Sequence, residues 1–129
     1  MTLNIVVKGA PVTKKNSQEI AFNRRTGKPF IMPSPHYKDY RKYFLYQIKR
    51  DMQLVIRMPV NVKCVYYMPT RRTVDLVNLL EATDDLLVEA RVIADDNCSI
   101  VATHDGSCVR YDKENPRVEI EIKPKAEGR

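Results

Sequence analysis

The stretch that decides the reading is residues 71–101, RRTVDLVNLLEATDDLLVEARVIADDNCSIV. Its middle predicts a helix over roughly Asn78 to Ala90. Leu79, Leu80, Thr83, Leu86, Leu87 and Ala90 fall within one arc of about 120° at 100° per residue, with Asn78, Ala82, Asp85 and Glu89 on the other side. A basic loop, Met68 to Thr73, precedes the helix, and an acidic loop with Asp95 and Asp96 follows it.

Outward from this segment the chain alternates strands and helices. Before it, Val60 to Tyr67 alternates apolar and polar residues and predicts a strand. Upstream of Pro59, Tyr37, Tyr40, Phe44, Ile48 and Met52 recur at intervals of three and four, an amphipathic helix. Ser34 can cap it, Pro35 suits its first position and Asp39 its first turn, while Lys38, Arg41, Lys42, Lys49 and Arg50 form a basic back. Earlier still, Ile20–Phe22 and Pro29–Met32 flank Asn23-Arg-Arg-Thr-Gly-Lys28, a hairpin with a basic tip and Gly27 at its positive φ. Leu3 to Lys8 opens the chain as a strand; Ser99 to Thr103 and Arg117 to Ile122 close it. The expectation is α+β: one mixed domain over 1–129, a single sheet with two main helices, and a frayed tail from about 124.

Composition narrows the function. The 129 residues carry 22 Lys and Arg against 16 Asp and Glu, a formal charge of +6, which favours polyanionic partners. Apolar runs are only a few residues long, so no membrane span is expected, and the N-terminus has the wrong order of charge and apolarity for a secretion signal. Cys64, Cys98 and Cys108 are odd in number and lack a C-x-x-C pair, as for free thiols in a cytoplasmic protein.

Three acidic features carry chemistry. Asp75 and Asp96 lie in loops on either side of the helix, both near basic residues, and are the first choice as a Mg²⁺-binding pair. Arg71, Arg72 or Lys15 would hold the phosphate beside that cation. Asp84, Asp85 and Glu89 read as a solvated helix face. Plainer roles are open as well. Asp75 can cap the helix, Asn78 with Glu81 fits a capping box, and Asp95-Asp96-Asn97 suits an acidic turn. His104-Asp105-Gly106 reads as a turn between strands.

The segment resembles the central motif of the RusA family of Holliday-junction resolvases: a basic loop, D-x-D-N-L, a helix with D-A-L, then a D-D pair entering a strand. Asp75, Asn78, Leu79, Asp85, Leu86, Asp95, Asp96 and Ile100 match in register without a gap. The opening looks similar too, with Asn16 in a basic loop after the first strand. The resemblance implies a small homodimeric Mg²⁺-dependent endonuclease that binds four-way DNA junctions and cuts two strands symmetrically. Its metal aspartates fall on Asp75 and Asp96, with Asp95 assisting.

Two positions depart from the family pattern. Its second aspartate falls on Val77, and its catalytic lysine falls on Glu81. Glu81, four residues on from Val77 along the helix, is the expected third acidic group for catalysis and metal binding, and the basic role passes to Arg72 or Lys15. Asn78 would orient the loop or a water. Lys14, Lys15, Asn16, Arg71 and Arg72 are the expected DNA contacts. A protein of this fold that binds branched DNA without cutting it is the alternative.

Overall fold

The computed structural model describes residues 1–14, 18–33 and 35–125; residues 15–17, 34 and 126–129 lie outside that description. Lys15, Asn16 and the Ser34 cap therefore fall outside the described residues.

The strand at Val60–Met68 is the hub, and its sequence shows why. Val60, Val62, Cys64, Tyr66 and Met68 alternate with half-buried Asn61, Lys63, Val65 and Tyr67, so one face is fully covered. In chain order the elements are β1 (Leu3–Lys8), β2 (Gln18–Phe22), β3 (Pro29–Pro33), α1 (Pro35–Gln47), β4 (Val60–Met68), α2 (Leu76–Glu89), β5 (Val101–Thr103), β6 (Cys108–Tyr111) and β7 (Arg117–Pro124). The main sheet has five strands in the order β1-β7-β4-β5, with β6 also on β4. β7 runs antiparallel to both β1 and β4, while β5 and β6 run parallel to β4 near its start and its end. β2 and β3 form a separate two-stranded sheet. Ile5, Val62, Tyr66, Ile120, Phe44, Leu79, Leu86 and Leu87 belong to one core, so both helices pack on the same sheet face.

Helix α1 ends at Gln47, short of the expected Met52. The Gln47 side chain ties this end of the helix to the sheet. Its Oε1 accepts from Lys8 N at 2.7 Å and its Nε2 donates to Lys8 O at 2.9 Å, so the amide pairs the edge of β1 as another strand would. A short 3₁₀ turn, Arg50–Met52, follows. Tyr37, Tyr40, Phe44 and Ile48 are buried as the stripe predicts.

Helix α2 begins earlier than expected because Asp75 is its cap. The Asp75 carboxylate accepts from Val77 N at 2.9 Å and Asn78 N at 3.4 Å. It ends without a glycine. Arg91 N donates to Val88 O, Val92 N donates to Leu87 O, and Arg91 takes the left-handed position at φ +65°. The chain then pairs with Ile56, which accepts from Ala94 N and donates to Val92 O. This fixes where the next two residues, Asp95 and Asp96, emerge.

Three expectations need correction. Asp84 is buried rather than solvated, and Ala82 is buried with it. β6, Cys108–Tyr111, is a strand the sequence reading missed, since Cys108 is half-buried, the three residues after it are exposed, and no alternation marks it. Pro124 belongs to β7 and Lys125 N donates to Pro59 O, so the expected tail is held to the sheet at 124 and 125, and its residues 126–129 lie outside the described residues.

Candidate active site

The acidic face of α2 carries Asn78, Glu81 and Asp85 at the spacing that stacks side chains along one side of a helix. With Ala82 and Lys14 they line a shallow cleft. Lys14 Nζ lies 3.3 Å from Asp85 Oδ2 and 5.8 Å from the Tyr37 ring centroid. Glu89, one turn further on, is held by Arg41 of α1. The Arg41 cation, expected on a solvated basic back, is thus spent on joining the two helices.

Asp96 comes to this face from the loop after α2. Its carboxyl is held above the ordinary value of 3.8. Withdrawal from water is the first cause; the hydrogen bond to the Asp85 carboxyl, the bond to Asp95 and the like charge of Asp85 follow. Asp95 Oδ1 in turn accepts from Asp96 N at 2.7 Å. Two carboxyl groups from different elements thus face each other.

The structure brings Asp96 to Asp85, and it places Asp75 elsewhere. Asp75 caps the far end of the helix, ten residues or about 15 Å of axial rise before Asp85. Among the described residues, no group of three or more His, Cys, Asp or Glu side chains is arranged to hold a metal ion. The expected set of Asp75, Glu81 and Asp96 is therefore not gathered. Asp85, expected on a solvated helix face, is the residue that the structure brings to Asp96. Its signal was present: it matches the family motif in register, and it lies seven residues after Asn78 and four after Glu81.

The expected phosphate contacts diverge as well. The Arg71 guanidinium stacks 4.1 Å from the Tyr111 ring centroid, whereas Arg72 lines the cavity beside the start of α1. Lys14 faces Asp85. Behind the acidic face lies a polar layer. Thr83 Oγ1 donates to Leu79 O at 2.9 Å, so the Tyr66 hydroxyl, 2.7 Å away, is the donor to Thr83. His104 meets Asp84 there rather than serving only as a turn residue. Cys64, Cys98 and Cys108 are free thiols, and burial pushes Cys64 up to about 12.

A compact α+β domain with paired carboxyls beside cations is suited to phosphodiester chemistry on a polyanion. Residues 8–123 match endodeoxyribonuclease RusA, and the chain belongs to that family. Nuclease activity on DNA, with Holliday junctions as the family substrate, is what membership implies. No curated protein matches the chain. None of the helices described is long and apolar enough to cross a membrane.

Proposed function

We propose that this chain is a Mg²⁺-dependent endonuclease that resolves four-way DNA junctions by paired, symmetric cleavage, acting as a homodimer in the cytoplasm during recombination and repair. The observation that carries the reading is the convergence of Asp85 and Asp96 within a chain of the RusA family. The Asp85 carboxyl, hydrogen-bonded to Asp96 and helping to hold that group's proton affinity up, forms with it a donor set that a divalent cation relieves, and hard oxygen ligands suit Mg²⁺.

Asp96 and Asp85 would hold the metal, with Asp95 adjacent and Glu81 one helical turn away. Asp75, carried over by its register in the family motif, stands apart from this pair at the start of α2 and would add negative charge there rather than a ligand beside Asp96. When bound, the cation polarises the scissile phosphodiester and activates a water. Asn78 orients groups at the N-terminal end of the cleft. Lys14, Lys15, Asn16, Arg71 and Arg72 take the DNA backbone. A dimer doubles the formal charge from +6 to +12 and offers two identical sites to a substrate with two-fold character.

The alternative reading is binding of branched DNA without cleavage. It is favoured by one observation: among the described residues no three ligating side chains are gathered. A synthetic four-way junction incubated with Mg²⁺ or with EDTA decides between the two. The parent is expected to cut in Mg²⁺ alone. Asp96→Asn and Asp85→Asn are each expected to lose on the order of 10²-fold or more in rate. Binding without cutting in Mg²⁺ selects the alternative. Cleavage undiminished in Glu81→Gln removes Glu81 from the site.

A further inference from the structure

A cavity of about 550 Å³ opens between the Pro11–Thr13 segment, the start of α1 and the chain leaving β4. Its floor is apolar: Met68 and Leu79 are buried, and Val12 and Val74 are half-buried. Its rim is polar and exposed, with Arg72, His36 and Thr73. No lining residue is acidic. An apolar seat with a cationic edge and hydroxyl groups fits a ligand that is flat at one end and anionic at the other.

We infer that this cavity receives a single unstacked nucleotide of the DNA substrate, its base on the apolar floor and its phosphate at Arg72. The inference rests on the proposed DNA substrate and adds a specificity site to it. Two further observations support it. Arg71 and Arg72 are adjacent but lie in different surroundings, Arg71 on the Tyr111 ring and Arg72 at the rim of the cavity, so the loop commits one arginine to this space. The cavity also adjoins the acidic cleft. Thr13 and Leu79 line the cavity, and their chain neighbours Lys14 and Asn78 line the cleft. A strand anchored by one nucleotide here therefore continues toward Asp85. Bases at a branch point have lost stacking partners, so they are cheaper to extrude than bases in a continuous duplex. The cavity would thereby favour branched DNA.

The test uses a four-way junction carrying 2-aminopurine at the branch point, with the full chain, EDTA present to prevent cleavage, and protein sufficient to shift all the junction in a gel. The parent is expected to raise the fluorescence several-fold on the junction and not on a linear duplex of the same strand. Val74→Trp, which fills the cavity, is expected to remove most of that rise in the fully shifted complex. If Val74→Trp fails to fold by circular dichroism, Thr73→Trp on the exposed rim replaces it. The chain has no tryptophan of its own, so quenching of that single emitter on junction binding reports a base entering. A shifted junction with no fluorescence change in the parent, or a rise unaltered by the filled cavity, overturns the nucleotide site while leaving the nuclease reading intact. Failure of the parent to shift any DNA overturns both, and the unlabelled gel shows this separately.

Discussion

His104 Nε2 stands 2.8 Å from Asp84 Oδ2, and the other oxygen of that carboxyl, Oδ1, has no hydrogen-bond partner among the described residues. Asp84 is only 6% exposed. Burial pushes its carboxyl above the usual range, and the bond from His104 pulls it back. A buried carboxyl therefore depends on this imidazole. His104→Ala is expected to destabilise the fold by about 2 kcal/mol, because it strands the group with neither oxygen paired. Adding Asp84→Leu to that variant is expected to return most of the loss. Urea unfolding of the parent, the single variant and the double variant measures both steps. A single variant as stable as the parent would show that the pair is incidental.

Arg91 closes α2 in a conformation that suits glycine. Its φ is +65°, where a Cβ crowds the following carbonyl. The two capping bonds around it are backbone bonds, from Arg91 N to Val88 O and from Val92 N to Leu87 O, so they survive a change of side chain. Arg91→Gly is expected to stabilise the protein by about 0.5–1 kcal/mol, read as a rise in the urea midpoint at unchanged slope. A loss of stability would mean that the arginine side chain contributes more than its backbone strain costs.

The Arg91 stop shows where sequence reading ran out. A helix end marked by glycine is visible in a sequence; one made by an arginine forced to positive φ is not, because it depends on Val92 and Leu87 being buried together. The amphipathic stripes of α1 and α2 and the alternation of β4 were legible, since each follows from a local period. Asp84 was misread because its burial depends on His104, twenty residues away in sequence. The Asp85–Asp96 approach was hidden for a similar reason. It requires the α2 stop and the pairing of Ile56 with Ile93 to aim the loop, and neither leaves a mark within the motif. The basic hairpin, by contrast, was written into six consecutive residues, Asn23 to Lys28.

Asp112 provides a pH signature. The hydrogen bond from Arg117 Nη1, at 2.8 Å, holds its carboxyl below the usual 3.8, and backbone donors from Asn115 and Glu114 add to that. Arg117 also stacks on the Tyr67 ring at 3.8 Å. A carboxyl whose folded value is depressed contributes stability that is fully present above its unfolded value and lost as pH falls through the folded one. The parent is therefore expected to lose melting temperature as pH drops below 3.8, and Asp112→Asn to lose less over the same interval. Melting curves of both proteins in that acid range check it. Parallel curves would remove Asp112 from the acid response.

The hairpin tip is built to present cations. Asn23 Oδ1 accepts from Arg25 N at 2.8 Å and Thr26 N at 3.2 Å, and Asn23 O accepts from Gly27 N at 2.8 Å, with Gly27 at φ +70°. The backbone is satisfied within the turn, which leaves the exposed Arg24, Arg25 and Lys28 side chains to project from it. Because β2 and β3 form a sheet of their own, charge can be removed here without disturbing the core. The combined Arg24→Ala, Arg25→Ala and Lys28→Ala variant is expected to flatten the dependence of log affinity on log salt by about one for each phosphate these cations neutralise, up to about three. Cations on phosphates do not read sequence, so the slope should fall alike on junction and linear duplex, while any preference for the junction at a fixed salt persists. Titrations of both DNAs at several salt concentrations measure this. An unchanged slope places the hairpin away from the DNA. A slope that falls only with the junction would instead make the tip a reader of branch geometry, because its cations would then reach phosphates that exist as neighbours only where four strands meet.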